Sequence, residues 1–424
     1  MVKTMSEVVP QSVVAIDIGT HKVSVLIGEV HAPDQIEVTG MAYVRNRGMS
    51  KGKIVSLEKV VSAIKNAVQE AEDMAECRVN SAWVAIPSTE LRSFYAVGRA
   101  PVLNSEQTIT TNELVRALEL AKTSHITTDY YLTNAVPLGF AVDDSDEWVQ
   151  NPIGLSAQSV TGHYQLMMLP ISTMQNLDKA LKNAGIGVEK MVISTLATSE
   201  ASLLKDEKEY GVCLIDIGAG TSNIGVYFGG HLAFSSTLPL GGEHVTRDIA
   251  AVLQTTTEEA ERLKTLHGCV DHQVIKPDHM IQVQTTDGTQ TISRIELADI
   301  IVARYEDIFD RIRNILEANG VLTGLYHGVV LTGDAIQIEG AVTLARRKLG
   351  VSAHLGNPPL QVYAKDDMLP VLRRSLYTTA SGLLIFSQSE LQHSVTPPEE
   401  QTRSFWQRMM DGINDILNKL KNLF

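Results

Sequence analysis

Two stretches of this chain place a carboxylate at the end of an apolar run and follow it with a tight turn of small residues. In the first, VVAI meets Asp17-Ile18-Gly19-Thr20; in the second, GVCLI meets Asp216-Ile217-Gly218-Ala219-Gly220-Thr221. A second apolar run follows each, so each reads as a hairpin whose turn exposes backbone N–H groups and a hydroxyl. Closely spaced N–H groups among small residues form an anion nest that a phosphate can approach. Asp216 would face a divalent cation through water, because Mg²⁺ sheds its hydration shell reluctantly. One such hairpin is equally well an ordinary Gly-rich turn. Two copies, about half the chain apart, point to duplicated halves whose turns meet across a cleft, with a nucleoside triphosphate and Mg²⁺ between them.

The elements that must position these turns alternate between strand and helix. A basic, Gly-punctuated loop, Arg45 to Gly52, leads into a helix from about Leu57, with Val60, Val61, Ile64, Val68 and Ala71 on one face. The loop reads as solvated, with a role in partner contact left open. From Trp83 to His163 the texture becomes α+β, with a helix over Thr111 to Lys122 capped by Thr111 or Asn112. The acidic run Asp143 to Glu147 reads as a solvated loop tip rather than a metal site. Val192 to Leu204 feeds a helix into the cleft. Beyond the second hairpin, a helix starts at Gly241-Gly242, Thr257 caps another carrying Glu261 and Lys264, and two or three short strands follow within Val274 to Gln290. A long helix, Arg294 to Ala318, turns Ile300, Ile301, Tyr305, Ile308, Ile312 and Ile315 to one side and stops at Gly320. Val329 to Thr332 is a buried strand ending at Gly333-Asp334, a helix follows from Ile338, and the helix Leu376 to Ser387 closes the fold.

The last stretch differs. Gln388 to Thr402 is polar with Pro397-Pro398 and reads as a disordered tether. Ser404 to Phe424 then sets Phe405, Trp406, Met409, Met410, Ile413, Ile416, Leu417, Leu420, Leu423 and Phe424 at helical spacing on one face. Burying such side chains is worth roughly 1.5–3 kcal/mol each, somewhat less at a bilayer interface. The helix's net charge of about +1 adds only on the order of 1 kcal/mol near anionic lipid. Insertion into an anionic membrane surface therefore dominates over charge attraction; packing back on the body or pairing in a coiled coil is the competing reading.

Composition bounds the rest. At 424 residues the chain has room for at least two domains, and a net charge of −13 argues against a nucleic-acid partner. Cys77, Cys213 and Cys269 form no CxxC pair, which fits a reducing cytoplasm and neither disulfides nor zinc. The N-terminal residues lack a signal peptide's apolar core, and no run reaches the length of a membrane span.

The two Asp-Ile-Gly turns and Leu331-Thr332-Gly333 resemble the phosphate and adenosine motifs of the actin, Hsp70 and sugar-kinase superfamily. Within it, Arg47-Gly48-Met49-Ser50-Lys51-Gly52, the run from Gly241 to Ala250 and Gln337-Ile338-Glu339-Gly340 resemble the bacterial cell-division FtsA family over essentially the whole chain. The resemblance implies an α/β, actin-like two-lobed ATPase fold with an inserted small α+β subdomain and a C-terminal amphipathic helix. It divides the chain into a first lobe (1–82, 166–210 and a closing helix 375–387), an insertion (83–165), a second lobe (211–245 and 319–374) with a small subdomain (246–318), a linker (388–403) and the terminal helix (404–424).

It further implies ATP held by Asp17, Gly19 and Thr20 from one side and Asp216, Gly218, Gly220 and Thr221 from the other, with Asp17 and Asp216 orienting Mg²⁺ through water. Glu261 and Lys264 would meet ribose and base, Gly333 would let the backbone pass the adenine, and Lys22, Gly242 and Asp334 complete the nucleotide set. Implied partners are further copies in filaments, the C-terminal peptide of FtsZ on the small subdomain, later division proteins such as FtsN, and the cytoplasmic face of the inner membrane at the septum.

Departures from the family pattern matter chemically. Ala219 stands where a third Gly is usual, Asn223 replaces a frequent Asp, and Asp334 stands where Gly is normal. A carboxylate at Asp334 would repel an anionic nucleotide and resist a positive φ. Where hydrolytic relatives place Glu or Gln, the chain has Ser194-Thr195, which offers no comparable base. Weak binding with slow or absent hydrolysis is the expectation. A pilus-assembly ATPase of the FtsA-like branch and a small-molecule kinase of the same superfamily are the alternatives; a kinase needs a catalytic carboxylate that the sequence does not nominate.

Overall fold

The computed structural model describes residues 11–393, apart from 33, 88, 124–128, 287, 357 and 366. Two sheets carry the two Asp-Ile-Gly hairpins, and they share one plan. In the first, Gln11–Ile18, Lys22–Ala32 and Gln35–Arg45 run antiparallel in succession, Ser81–Ile86 adds parallel to Gln11–Ile18, and Gly187–Ile193 adds parallel beyond it. In the second, Val212–Ile217, Ser222–Phe228 and His231–Leu238 run antiparallel, Val329–Thr332 adds parallel to Val212–Ile217, and Ala353–Leu355 adds beyond that. The first sheet gains Val362–Tyr363 at its edge.

The two cores are built from these strands. Ile16, Ile18, Val23, Val25 and Leu26 anchor the first, with Val60, Ile64, Ala67, Val68 and Ala71 of the helix Leu57–Ala75 packed on them. Ile215, Ile217, Ile224 and Val226 anchor the second, covered by the helix Arg294–Ala318. That helix is clamped at its start by Ser293, whose hydroxyl accepts from the Ile295 amide while Glu296 accepts from the Ser293 amide. Its buried face holds Leu297, Ile301, Tyr305, Ile308, Phe309, Ile312 and Leu316. Ile300 and Ile315, expected on that face, lie only half-buried at its edges.

Inserted in the chain between Ser81–Ile86 and Gly187–Ile193, which pair directly, is a separate four-stranded sheet in the order Arg92–Pro101, Ser159–Pro170, Tyr130–Val142, Trp148–Val149, with the helix Thr111–Thr123 across one face and a core of its own. The insertion boundary expected at 83 falls inside the strand Ser81–Ile86, where Trp83 pairs with Ala15 and Lys190 in the first sheet. The inserted module therefore starts later. Its helix is capped by Thr110 rather than Thr111 or Asn112: the Thr110 amide and hydroxyl both donate to Glu113. Likewise Thr256, not Thr257, caps Thr257–His267 by accepting from the Glu259 amide. Within the acidic run, Asp143 accepts from the Gln158 and Ser159 amides and Asp144 pairs with Arg99.

The closing helix runs Thr378–His393, past the expected linker start at 388. It lies against the helix Ser194–Ser202, so close that a Cβ on Gly382 would collide with the Ala197 carbonyl. Similarly, Ala341–Leu349 starts later than Ile338, after a 3₁₀ turn at Asp334–Gln337. The tether and the terminal apolar helix lie outside the described residues.

Candidate functional site: a cleft between two acidic turns

Asp17 and Asp216 occupy equivalent places. Each is the penultimate residue of its strand, opposite Ser24 and Asn223 on the hairpin partner and beside the C-terminal end of a parallel neighbour, Ala85 or Thr332. Ligand crevices of open sheets form at such strand ends. The two turns face one another and touch: a Cβ on Gly220 would lie 2.7 Å from the Thr20 side chain.

The turns are built to leave donors free. Gly19 donates to the Lys22 carbonyl and Gly218 to the Thr221 carbonyl, closing each hairpin. The amides of Thr20, His21, Ala219 and Gly220 have no protein acceptor among the described residues. Support comes from behind. Asn46, almost fully buried, donates from its side chain to the Gly19 carbonyl and from its amide to the His21 carbonyl, and the Gly52 amide donates to the Thr20 hydroxyl. The basic segment is thus no simple loop. It contains a small hairpin, Met49–Ser50 with Lys53–Ile54, turned by Lys51 and Gly52 at φ 48° and 74°, and it buttresses the first turn. Asn46 was not legible as a site residue, because its role depends on a contact across the chain fold. The second turn is held by the helix Gly242–Val252, whose first amides, Gly242 and Glu243, donate to the Gly218 and Ala219 carbonyls.

Two connected hollows result. A small one, about 100 Å³, is lined by Asp17, Gly19, Thr20, Asp216, Gly218, Gly220, Thr221 and Gly333. A larger one, about 930 Å³, is lined by Gly242, Glu261, Lys264, Tyr43, Arg294 and Tyr305 among others, and Lys22 and Asp334 border both. All the cleft residues named from the sequence therefore converge on one crevice.

Electrostatics differ between the hollows. Burial pushes Asp17 up to about 7; Lys22 opposes this, while Asp216 and Asp334 reinforce it. Burial also raises Asp216, against a 3.4 Å hydrogen bond from the Asn223 side-chain Nδ2 and the Lys22 charge. A proton or a bound cation relieves such pressure on two neighbouring carboxylates. In the larger hollow, burial works against the Glu261 carboxylate, but Lys264 at 2.6 Å and the Thr246 hydroxyl at 2.5 Å outweigh it and hold its pKa below the ordinary value. Lys264 also reaches the Thr246 hydroxyl and the Gly242 carbonyl.

Two expectations need correction. Asp334 carries no positive φ; the left-handed residue is Gly333, at φ 95°, and a Cβ there would lie 2.5 Å from Asp216 Oδ1 and also strike the Ile217 carbonyl. Gly333 is thus demanded by the neighbouring strand, and it lines the smaller hollow directly before Asp334 and Ala335 of the larger one. Nor does Asp334 present a bare charge: Lys22 Nζ lies 3.0 Å from Oδ2, and the Ser375 hydroxyl donates to Oδ1 at 2.9 Å. Ser194 borders the smaller hollow with its hydroxyl donated to the Ile86 carbonyl at 2.6 Å.

A family model described as "Cell division protein FtsA" matches residues 213–382, and one described as "SHS2 domain inserted in FTSA" matches residues 89–168. A cell division protein FtsA of Pseudomonas aeruginosa is 32% identical over 376 residues, covering 88% of each chain; that of Escherichia coli K12 is 30% identical over 416 residues, covering 96% of this chain and 97% of its own. This chain belongs to the FtsA family. As a member of that family it is an actin-like cell-division protein. Its fold is shared with the PilM–PilN type IV pilus biogenesis complex (TM-score 0.63, 15% identity, covering 89% of this chain and 99% of that one) and with MreB5 of Spiroplasma citri bound to ADP (TM-score 0.55, 13% identity, covering 90% and 98%). The SHS2 match places the FtsA insertion after the strand Ser81–Ile86, in line with the strand pairing.

Proposed function

We propose that this FtsA-family chain binds MgATP in the crevice between its acidic turns, polymerises on the cytoplasmic face of the inner membrane, anchors FtsZ filaments there and recruits later division proteins to the septum. The observation that carries the reading is the meeting of the two turns at Thr20 and Gly220, which sets Asp17 and Asp216 around one small hollow. The donor set fits a polyphosphate with Mg²⁺: free amides at both turns for phosphate oxygens, two carboxylates for the hydrated cation, and an adjoining hollow large enough for a nucleoside. When bound, Mg²⁺ would offset the charge that the two carboxylates and the phosphates bring together.

Residue roles follow from position. Asp17 and Asp216 orient the cation through water. Gly19, Thr20, Gly218, Gly220 and Thr221 cradle phosphate, while Glu261 and Lys264 face the sugar and base. Ser194, committed to the Ile86 carbonyl, supplies no base for an attacking water, so the nucleotide serves as an assembly ligand with slow or absent turnover. The terminal helix supplies membrane affinity. A filament presents many copies of it at high effective concentration, so a reversible single-helix contact becomes stable attachment.

The test is sedimentation of the full chain with anionic phosphatidylglycerol vesicles, with and without MgATP, together with FtsZ or its C-terminal peptide. Vesicle-bound filaments that increase with MgATP and carry FtsZ are expected. Many cycles of ATP hydrolysis per minute by the isolated protein would overturn the slow-turnover part, and absence from the vesicle pellet would overturn the membrane part.

A further inference from the structure

Lys22 and Asp334 stand on opposite lobes. Lys22 begins the second strand of the first sheet, whereas Asp334 follows the strand Val329–Thr332 of the second. Asp334 also accepts from Ser375, and Lys22 donates to the Leu376 carbonyl at 2.6 Å; both of these residues precede the closing helix of the first lobe. One carboxylate of the second lobe is therefore held by two groups of the first, at the point where the smaller and larger hollows join.

We propose that this Asp334–Lys22–Ser375 contact is a latch between the two lobes at the junction of the hollows. We further propose that Asp334 competes with a bound polyphosphate for the Lys22 ammonium and so sets the affinity of the cleft for that anion. The competition rests on the nucleotide reading above; the latch does not. Geometry makes the contact openable. Asp334 is about half exposed (48%), so its ion pair is screened and weak enough for a ligand to displace, while Lys22 (22% exposed) stays anchored through the Leu376 carbonyl. A nucleotide spanning both hollows would run along the residues common to them, His21, Lys22, Ala219 and Asp334, and so beside the Asp334 carboxylate. Leaving Asp334 without its counter-charge beside phosphate is then the cost of binding.

The decisive experiment measures both consequences in the full chain. Spin labels on the exposed native Cys77 of the first lobe and on Asn314→Cys, on the exposed side of the long helix of the second, report the interlobe distance. Asp334→Ala removes both contacts; Asp334→Asn keeps the shape without the charge and guards against an effect of truncation. Without ligand, both variants are expected to show a longer and broader distance distribution than the parent. With a fluorescent ATP analogue and Mg²⁺, both should bind about tenfold more tightly, and the gain should shrink as salt is raised. Identical ligand-free distances in parent and variants would overturn the latch. Unchanged affinity in variants that do open would overturn the competition. Opening in the variants, with no MgATP binding by any of the proteins, would support the latch and overturn the nucleotide reading instead.

Discussion

Gly220 and Thr20, 200 positions apart in the chain, are packed so tightly that one added carbon cannot fit between them: a Cβ on Gly220 would sit 2.7 Å from Thr20 Cγ2 and 3.0 Å from its hydroxyl. Thr20 cannot swing aside, since it is buried and its hydroxyl accepts from the Gly52 amide.

Gly220→Ala should therefore destabilise the protein by about 1–3 kcal/mol, the usual range for overpacking a rigid site, and spread the two turns. Urea denaturation with and without MgATP checks this. Thr20→Ser, which removes Cγ2, should recover part of the loss in the double variant.

Gly333→Ala meets two obstacles. The position has φ 95°, and the new carbon would press on Asp216 Oδ1 and the Ile217 carbonyl. A loss of at least about 2 kcal/mol is expected, with reduced Mg²⁺-dependent nucleotide binding because Asp216 is displaced. Titration with a fluorescent ATP analogue measures the second effect.

Acid should weaken the inserted module through Glu113. The Thr110 hydroxyl and amide hold the Glu113 carboxylate below its ordinary pKa of 4.5, despite the opposing effect of burial. A folded-state pKa below the unfolded one gives stability that is fully present above about 4.5 and is lost as pH falls through the depressed value. Glu113→Gln should be less stable than the parent at neutral pH, and the difference should narrow in acid. Denaturation midpoints of both proteins across that window decide it; a gap that stays constant with pH would reject the assignment.

Trp406→Glu with Ile413→Glu should release the protein from anionic vesicles while leaving MgATP binding intact. Two anions on the apolar face remove insertion area and repel the lipid charge. Undiminished vesicle sedimentation would count against the membrane helix.

Much of this was open to a reader of the chain alone. Continuous apolar runs up to Asp17 and Asp216, each followed by a turn of small residues, defined both hairpins, because apolar runs and turn chemistry are local properties. The span Arg294 to Ala318 was legible from its apolar spacing and from Gly320 at its end, whereas the Ser293–Glu296 clamp at its start emerged only in the structure. The apolar spacing of residues 404–424 and the polar, proline-containing composition of the residues before them are equally sequence-level facts.

Other features depended on which elements became neighbours. Ser81–Ile86 looks like the opening of the inserted module, and only its parallel pairing with Gln11–Ile18 assigns it to the first sheet. Asn46 and Gly52 look like parts of a solvated loop until the fold lays them behind the Thr20 turn. Asp334, a bare repulsive charge in the sequence, became one end of an ion pair because Lys22, 312 positions away, lies 3.0 Å from it. The division follows from range: periodicity and capping act within a few residues, whereas a carboxylate's partner and a glycine's empty space are set by segments brought together only when both cores have formed.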